Sequence, residues 1–180
     1  MKFFNFASVL LVVLLASGCA AVNANKISPM KSSMQGQRII VFPFQDPYYK
    51  GRQIQGVGGP FSAIFTTELQ AANIQAESYK GPDFQSFSAI DLKAACKYAN
   101  ENGYDIFAVG VVTEWIDGAT QWSGRVDVAA LTVEVYNAKT CELAGSASGR
   151  ETGNFITFVN APTTRFYQTL SKEVVQALIK

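Results

Sequence analysis

Apolar positions open the chain as a block. Val9 to Ala16 is an unbroken apolar run, preceded by Phe3, Phe4 and Phe6 and followed by Ser17, Gly18 and Cys19. From Asn23 to Gln37 the pattern turns polar, which predicts a flexible tether. Beyond it the period changes repeatedly. Arg38 to Phe44 is a β-rich apolar run closed by Pro43 and the turn-like Gln45-Asp46-Pro47. Phe61, Ile64, Phe65, Leu69 and Ala72 recur at helical spacing after Pro60, a residue suited to a first helical turn. Ile74 to Tyr79 reads as a short strand. Ser88, with Asp91 three places on, resembles a helix cap, and Leu92 to Ala99 continues that helix to a stop at Asn102-Gly103. Asp105 to Ile116 is nearly all apolar and predicts a central strand. Val126 to Tyr136 alternates toward its end, Asn137 to Thr140 is a turn, and Glu142 to Thr152 returns as a Gly/Ser-rich strand. Thr163 to Ile179 is an amphipathic last helix. The order β-α-β-α-β-β-β-α predicts one mixed sheet with helices packed on it, an α/β (α+β) sandwich.

The opening block carries an address. Lys2, an apolar stretch too short to span a bilayer and a small-residue cut site make a secretory signal over residues 1–18. Ala16, Ser17, Gly18 and Cys19 resemble the lipobox of bacterial lipoproteins, although Leu is more usual where Ala16 stands. That resemblance implies cleavage between Gly18 and Cys19 and a covalent lipid on Cys19, with more than one acyl chain giving a lasting anchor. Ala20 and Ala21 follow without an Asp, which by the same resemblance implies the outer membrane, on its periplasmic face. Residues 19–37 then form the tether and 38–180 a single periplasmic domain, long enough for one core.

Composition narrows the chemistry. The 15 Lys and Arg, less Lys2, leave 14 basic against 14 acidic residues, so nothing favours nucleic acid. The chain holds no histidine. That excludes Ser-His-Asp and Cys-His catalysis, His-ligated zinc and a histidine proton shuttle. No cofactor is expected beyond the lipid. With Cys19 acylated, Cys96 and Cys141 remain, either as a disulfide or as separate thiols. Cys96 also falls on the apolar stripe of its helix with Leu92, Ala95 and Ala99.

The VFPF-type strand, the Gly-containing loop, the helix ending T-x-x-L and the D-x-F-A-V-G-V strand resemble three kinds of envelope domain. These are the curli-secretion lipoprotein, the N-terminal domain of the Tol translocation protein and the lipoprotein activator of penicillin-binding protein. Trp115, Asp117, Thr120, Trp122, Ser123, Gly124 and Asp127 form W-x-D-x-x-T-x-W-S-G-x-x-D. This segment resembles a family of bacterial lipoproteins whose domain has no assigned function. Members tend to carry Glu where Ile116 stands here. The resemblance implies fold and location and no reaction.

Several constellations could carry function. Trp115, Asp117, Thr120, Trp122, Ser123 and Asp127 could form an aromatic floor with polar rims for a glycan or small ligand; a hairpin whose Trp side chains cover the sheet uses the same residues. Glu114, Asp117 and Asp127 are candidate carboxylates for a cell-wall hydrolase, but strand alternation separates Glu114 from Asp117. Gly56-Val57-Gly58-Gly59 precedes a helix N-terminus, either as a phosphate cradle or as a flexible lead-in. Tyr48, Tyr49, Phe84, Phe87, Phe155 and Phe158 lie at loops or element ends, as docking residues or as loop anchors. The expectation is a lipid-anchored, non-enzymatic envelope module that binds another envelope protein or assembles with itself.

Overall fold

The computed structural model describes residues 22–28, 30, 32–85, 89–116, 126–153 and 164–179. Six strands make one sheet. β1 (Val22–Ser28) lies at one edge, then β8 (Leu143–Thr152), β7 (Val128–Asn137), β6 (Ile106–Ile116), β2 (Arg38–Val41) and β5 (Gln75–Ser78) at the other. β2 runs parallel to both β5 and β6, while β6, β7, β8 and β1 run antiparallel in succession. The sheet is therefore mixed, as the element order implies.

Among the described residues three helices pack on it, and the order of crossovers decides which face each takes. The chain goes from β2 through α1 (Gly58–Ala71) outward to β5, then back across β2 through α2 (Leu92–Glu101) to β6. Right-handed crossovers in opposite directions put their helices on opposite faces. Accordingly α1 shares a core with α3 (Arg165–Ile179), around Phe44, Phe61, Phe65, Leu131 and Leu170. The second core, around Ile40, Phe42, Cys96 and Phe107, lies under α2. Ile39 and Val41 of β2 face the first core, Ile40 and Phe42 the second, and all four are buried. A strand covered on both faces has no reason to alternate, which is why this one reads as a continuous apolar run.

Two parts of the sheet depart from expectation. Val22–Ser28 falls within the stretch assigned to the flexible tether, yet it pairs with β8 from Val22↔Glu151 to Ser28↔Ser146. Met34, in the same stretch, is buried in the first core. The physical reason is the edge: without β1, β8 would present a row of unpaired backbone groups. The loop after Asp46 contains a small hairpin, β3 (Tyr48–Tyr49) and β4 (Arg52–Gln53), whose connecting Lys50 and Gly51 have φ of 50° and 76°. Positive φ at both central residues is the turn geometry that matches strand twist. Helix α2 starts later than the Ser88 pattern suggests. Asp91 itself is the cap, its carboxylate accepting from the amides of Lys93 and Ala94, and Ser88 lies outside the described residues.

Candidate functional site

The sheet end where β6 finishes holds Glu114 and Trp115, with Asp127 just ahead of β7 and the Gly56–Gly59 segment leading into α1. Helix α1 begins there, and its N-terminus is already occupied. The buried Asp46 carboxylate accepts three amide hydrogen bonds, from Gly56 at 2.9 Å, Val57 at 2.9 Å and Gly58 at 2.6 Å. An anion at a helix N-terminus satisfies orphan donors and the helix dipole together. The Gly-rich segment is thus neither a phosphate cradle nor a loose lead-in, because the chain supplies its own anion. The glycine at 58 is obligatory, since a Cβ there would sit 1.9 Å from the Phe44 carbonyl oxygen.

Trp115 belongs to the packing of this end. A bulge at Thr113 shifts the register of β6 between Val112 and Glu114. As a result Val112 and Trp115 both face the helices, and Glu114 faces the other way. The indole stacks on Tyr167 at 5.4 Å and meets Phe61 and Phe166 edge-on. Its ring therefore joins α1 and α3 to the sheet. Asp127 stands just before β7, and its backbone oxygen accepts from the Gly153 amide at 2.7 Å. Asp117, Thr120, Trp122, Ser123 and Gly124 lie outside the described residues, as do Gly18 and Cys19.

The acids of this end have partners on opposite faces of the sheet. Glu114 pairs with Arg150 at 2.9 Å on the uncovered face. Glu151, next along β8, is buried on the helix face and accepts from the Thr169 hydroxyl. Farther along the face of Glu114, at the margin of the second core, the Tyr136 hydroxyl donates to Glu134 at 2.7 Å, and its ring stacks on Phe107 at 5.1 Å. Burial first, and the Glu134 hydrogen bond second, hold the Tyr136 phenol well above the usual tyrosine value of 10.0.

Cys96 and Cys141 are joined in a disulfide, with Cα atoms 5.7 Å apart. It ties α2 to the turn between β7 and β8. Ala95 and Ala99 flank the buried Cys96 in the second core, whereas Leu92 is exposed and off that stripe. The loop aromatics divide. Phe84 is half-buried against Phe42 and Tyr79, a loop anchor. Tyr48 is 61% exposed and Tyr49 38%. Phe87, Phe155 and Phe158 lie outside the described residues. A cavity of about 230 Å³ opens beside α2, lined by Pro43, Gln45, Ile90, Val109, Thr132 and Glu134 among others. Among the described residues no group of three or more Cys, Asp and Glu is placed to hold a metal ion, and no helix is long and apolar enough to cross a membrane.

No family model and no curated protein matches the chain. Solved structures do. PelC from Paraburkholderia phytofirmans, solved as a dodecamer, superposes with a TM-score of 0.67 over 88% of this chain and 98% of that one, at 16% identity. The chain shares the fold of PelC. A leucine-to-methionine variant of PelC, also a dodecamer and in another space group, gives 0.64 over 89% and 99%, at 17% identity. The hypothetical protein CT253 from Chlamydia trachomatis gives 0.51 over 78% and 94%, at 10% identity.

Sequence reasoning missed Asp46. Its partners are 10 to 12 residues away. The only sign was an acid in a turn followed by a glycine-rich segment ahead of a helix, which fits many loops.

Proposed function

We propose that this chain is an outer-membrane lipoprotein, held by lipid on Cys19, whose domain is a non-enzymatic module that assembles with copies of itself. The observation that carries the reading is the fold shared with PelC over nearly its whole length, a chain solved as a dodecamer in two space groups. A domain built on the same frame presents its edges and faces in the same arrangement, and a head-to-tail contact between two different faces gives a ring where its rotation closes. The lipobox-like Ala16-Ser17-Gly18-Cys19 supports the anchor. The absence of histidine and the pairing of Glu114 with Arg150 support a role without catalysis.

Sedimentation velocity on the mature protein tests this. The expected result is a discrete closed oligomer that forms with rising concentration. A species that stays monomeric at tens of micromolar, with or without detergent, would sink the assembly reading. The anchor is tested apart from it, by the mass of the N-terminal peptide and by membrane fractionation of Cys19→Ser.

A further inference from the structure

The β3–β4 hairpin is the one place among the described residues where two neighbouring aromatic side chains stand open to solvent. Tyr48 and Tyr49 are 61% and 38% exposed, and Lys50 and Arg52 beside them are exposed as well. The tip is stiff for its size. Its two-residue turn has both φ angles in the matched region, its strands pair Tyr48↔Gln53 and Tyr49↔Arg52, and the Ile54 amide donates to the Pro47 carbonyl at 2.8 Å. The Lys50 ammonium lies 5.4 Å from the Tyr49 ring centre, so cation and aromatic form one surface.

The position of this tip follows from the sheet register. Gln45 bridges to Val111 in parallel, and the Val112 amide donates to the Gln45 carbonyl at 3.0 Å. The chain therefore passes into the hairpin heading in the direction of β6, toward Ile116. Across the sheet that end is marked by Ile116↔Val128, Val128↔Thr152 and Val22↔Glu151. Val22, the first residue of β1, thus stands at the same end as the hairpin. Cys19 is three residues earlier, and three peptide units reach at most about 11 Å. Whatever holds Cys19 lies close to this end of the sheet.

We infer that the β3–β4 hairpin is a second membrane contact, laying Tyr48 and Tyr49 into the headgroup layer while Lys50 and Arg52 meet the phosphates of anionic lipids. The inference rests on the lipid at Cys19 proposed above. Tyrosine suits this layer because its ring is apolar and its hydroxyl is wet, and the two cations complement anionic headgroups. Four residues would hold a free protein to a bilayer only weakly. Tethering changes this, because the anchor keeps the tip at high local concentration against the surface. The two contacts together fix which way the domain points.

The test is site-directed spin labelling of the full mature protein, at Tyr48→Cys and, as a control, Lys139→Cys in the turn at the far end of the sheet. The protein is placed in vesicles of three parts phosphatidylethanolamine to one part phosphatidylglycerol. The expected result is that label 48 is shielded at least threefold from an aqueous nickel reagent and gains access to oxygen, while label 139 stays in water. Equal nickel access at both positions overturns the inference. Shielding of label 48 that needs no vesicles and grows with protein concentration also overturns it, because a second copy then covers the hairpin. The mass of the N-terminal peptide is read on the same sample. If it carries no acyl mass, the anchor fails separately. The hairpin is then judged with the N-terminus coupled chemically to a lipid in the same vesicles, where shielding supports it and none overturns it.

Discussion

Asp46 carries more of this fold than its single carboxylate suggests. Removing it leaves the amides of Gly56, Val57 and Gly58 without their acceptor, the last two of them buried at the helix start. Hydrogen bonds to a charged group contribute roughly 1.5–3 kcal/mol each, and buried donors left unmatched cost about as much. Asp46→Ala should therefore lower stability by about 3 kcal/mol in urea denaturation, and Asp46→Asn by roughly half of that, since one acceptor oxygen remains. Tyr136 gives a different test. Its phenol titrates higher folded than unfolded, because partial burial favours the neutral form that donates to Glu134. A group of this sign contributes stability that is fully present below the unfolded value of 10.0 and is lost as pH rises past it. Stability should be level from pH 7 to about 9 and fall above about 10, and Tyr136→Phe should make the alkaline limb shallower. The rest of that limb is left to Tyr79 and Tyr104, whose phenols are raised by burial in the same direction. At this scale little was legible beforehand. Trp115 stood out for its type, but a bulge at Thr113 that no pattern announces decides which face it takes.

Elements were more readable than residues, for a reason that can be followed along the chain. α1, α3, β6 and β7 bury a face large enough to impose its period on the sequence, so apolar spacing revealed them. β1 does not, because Asn-Ala-Asn-Lys is polar and its place in the sheet comes from pairing with β8. The β3–β4 hairpin is too short for any period, and its stretch reads as loop. α2 lies between these cases. It is a short helix whose buried positions are Ala95, Cys96 and Ala99, small residues that bury little area. The bond from Cys96 to Cys141 closes a separation of 45 residues, which in the chain-entropy account contributes at most about 4 kcal/mol. Cys96→Ala/Cys141→Ala, or reduction of the native protein, should lower the unfolding midpoint toward that limit. Hydrogen exchange should show the earliest loss of protection in α2, with β7 and β8 retaining theirs.

At the scale of the whole molecule, the helices among the described residues leave one large surface of the sheet uncovered. α1 and α3 cover one face of all the central strands, while α2 covers the other only over β2 and the start of β6. Thr132 and Glu134 of β7, Ser148 and Arg150 of β8 and Glu114 of β6 line what remains. They are polar, as expected of a sheet face turned to water. The order of elements and the mixed sheet could be drawn from the sequence, because crossover rules act on order alone. Which surfaces meet another molecule could not, since assembly depends on shape across elements that are distant along the chain.

The pairing of β1 with β8 has a practical consequence for anyone making this protein. A boundary chosen from the hydrophobic pattern would start the chain at Arg38, which removes β1 and Met34 together. The truncated molecule would keep its helices but expose the hydrogen-bonding rim of β8 along its length, an invitation to stack strand on strand. Such a preparation should show broad, early-eluting aggregates in size-exclusion chromatography, whereas one begun at Ala20 should not. A soluble yield from the shorter chain equal to that of the longer one would mean that the N-terminal strand protects nothing.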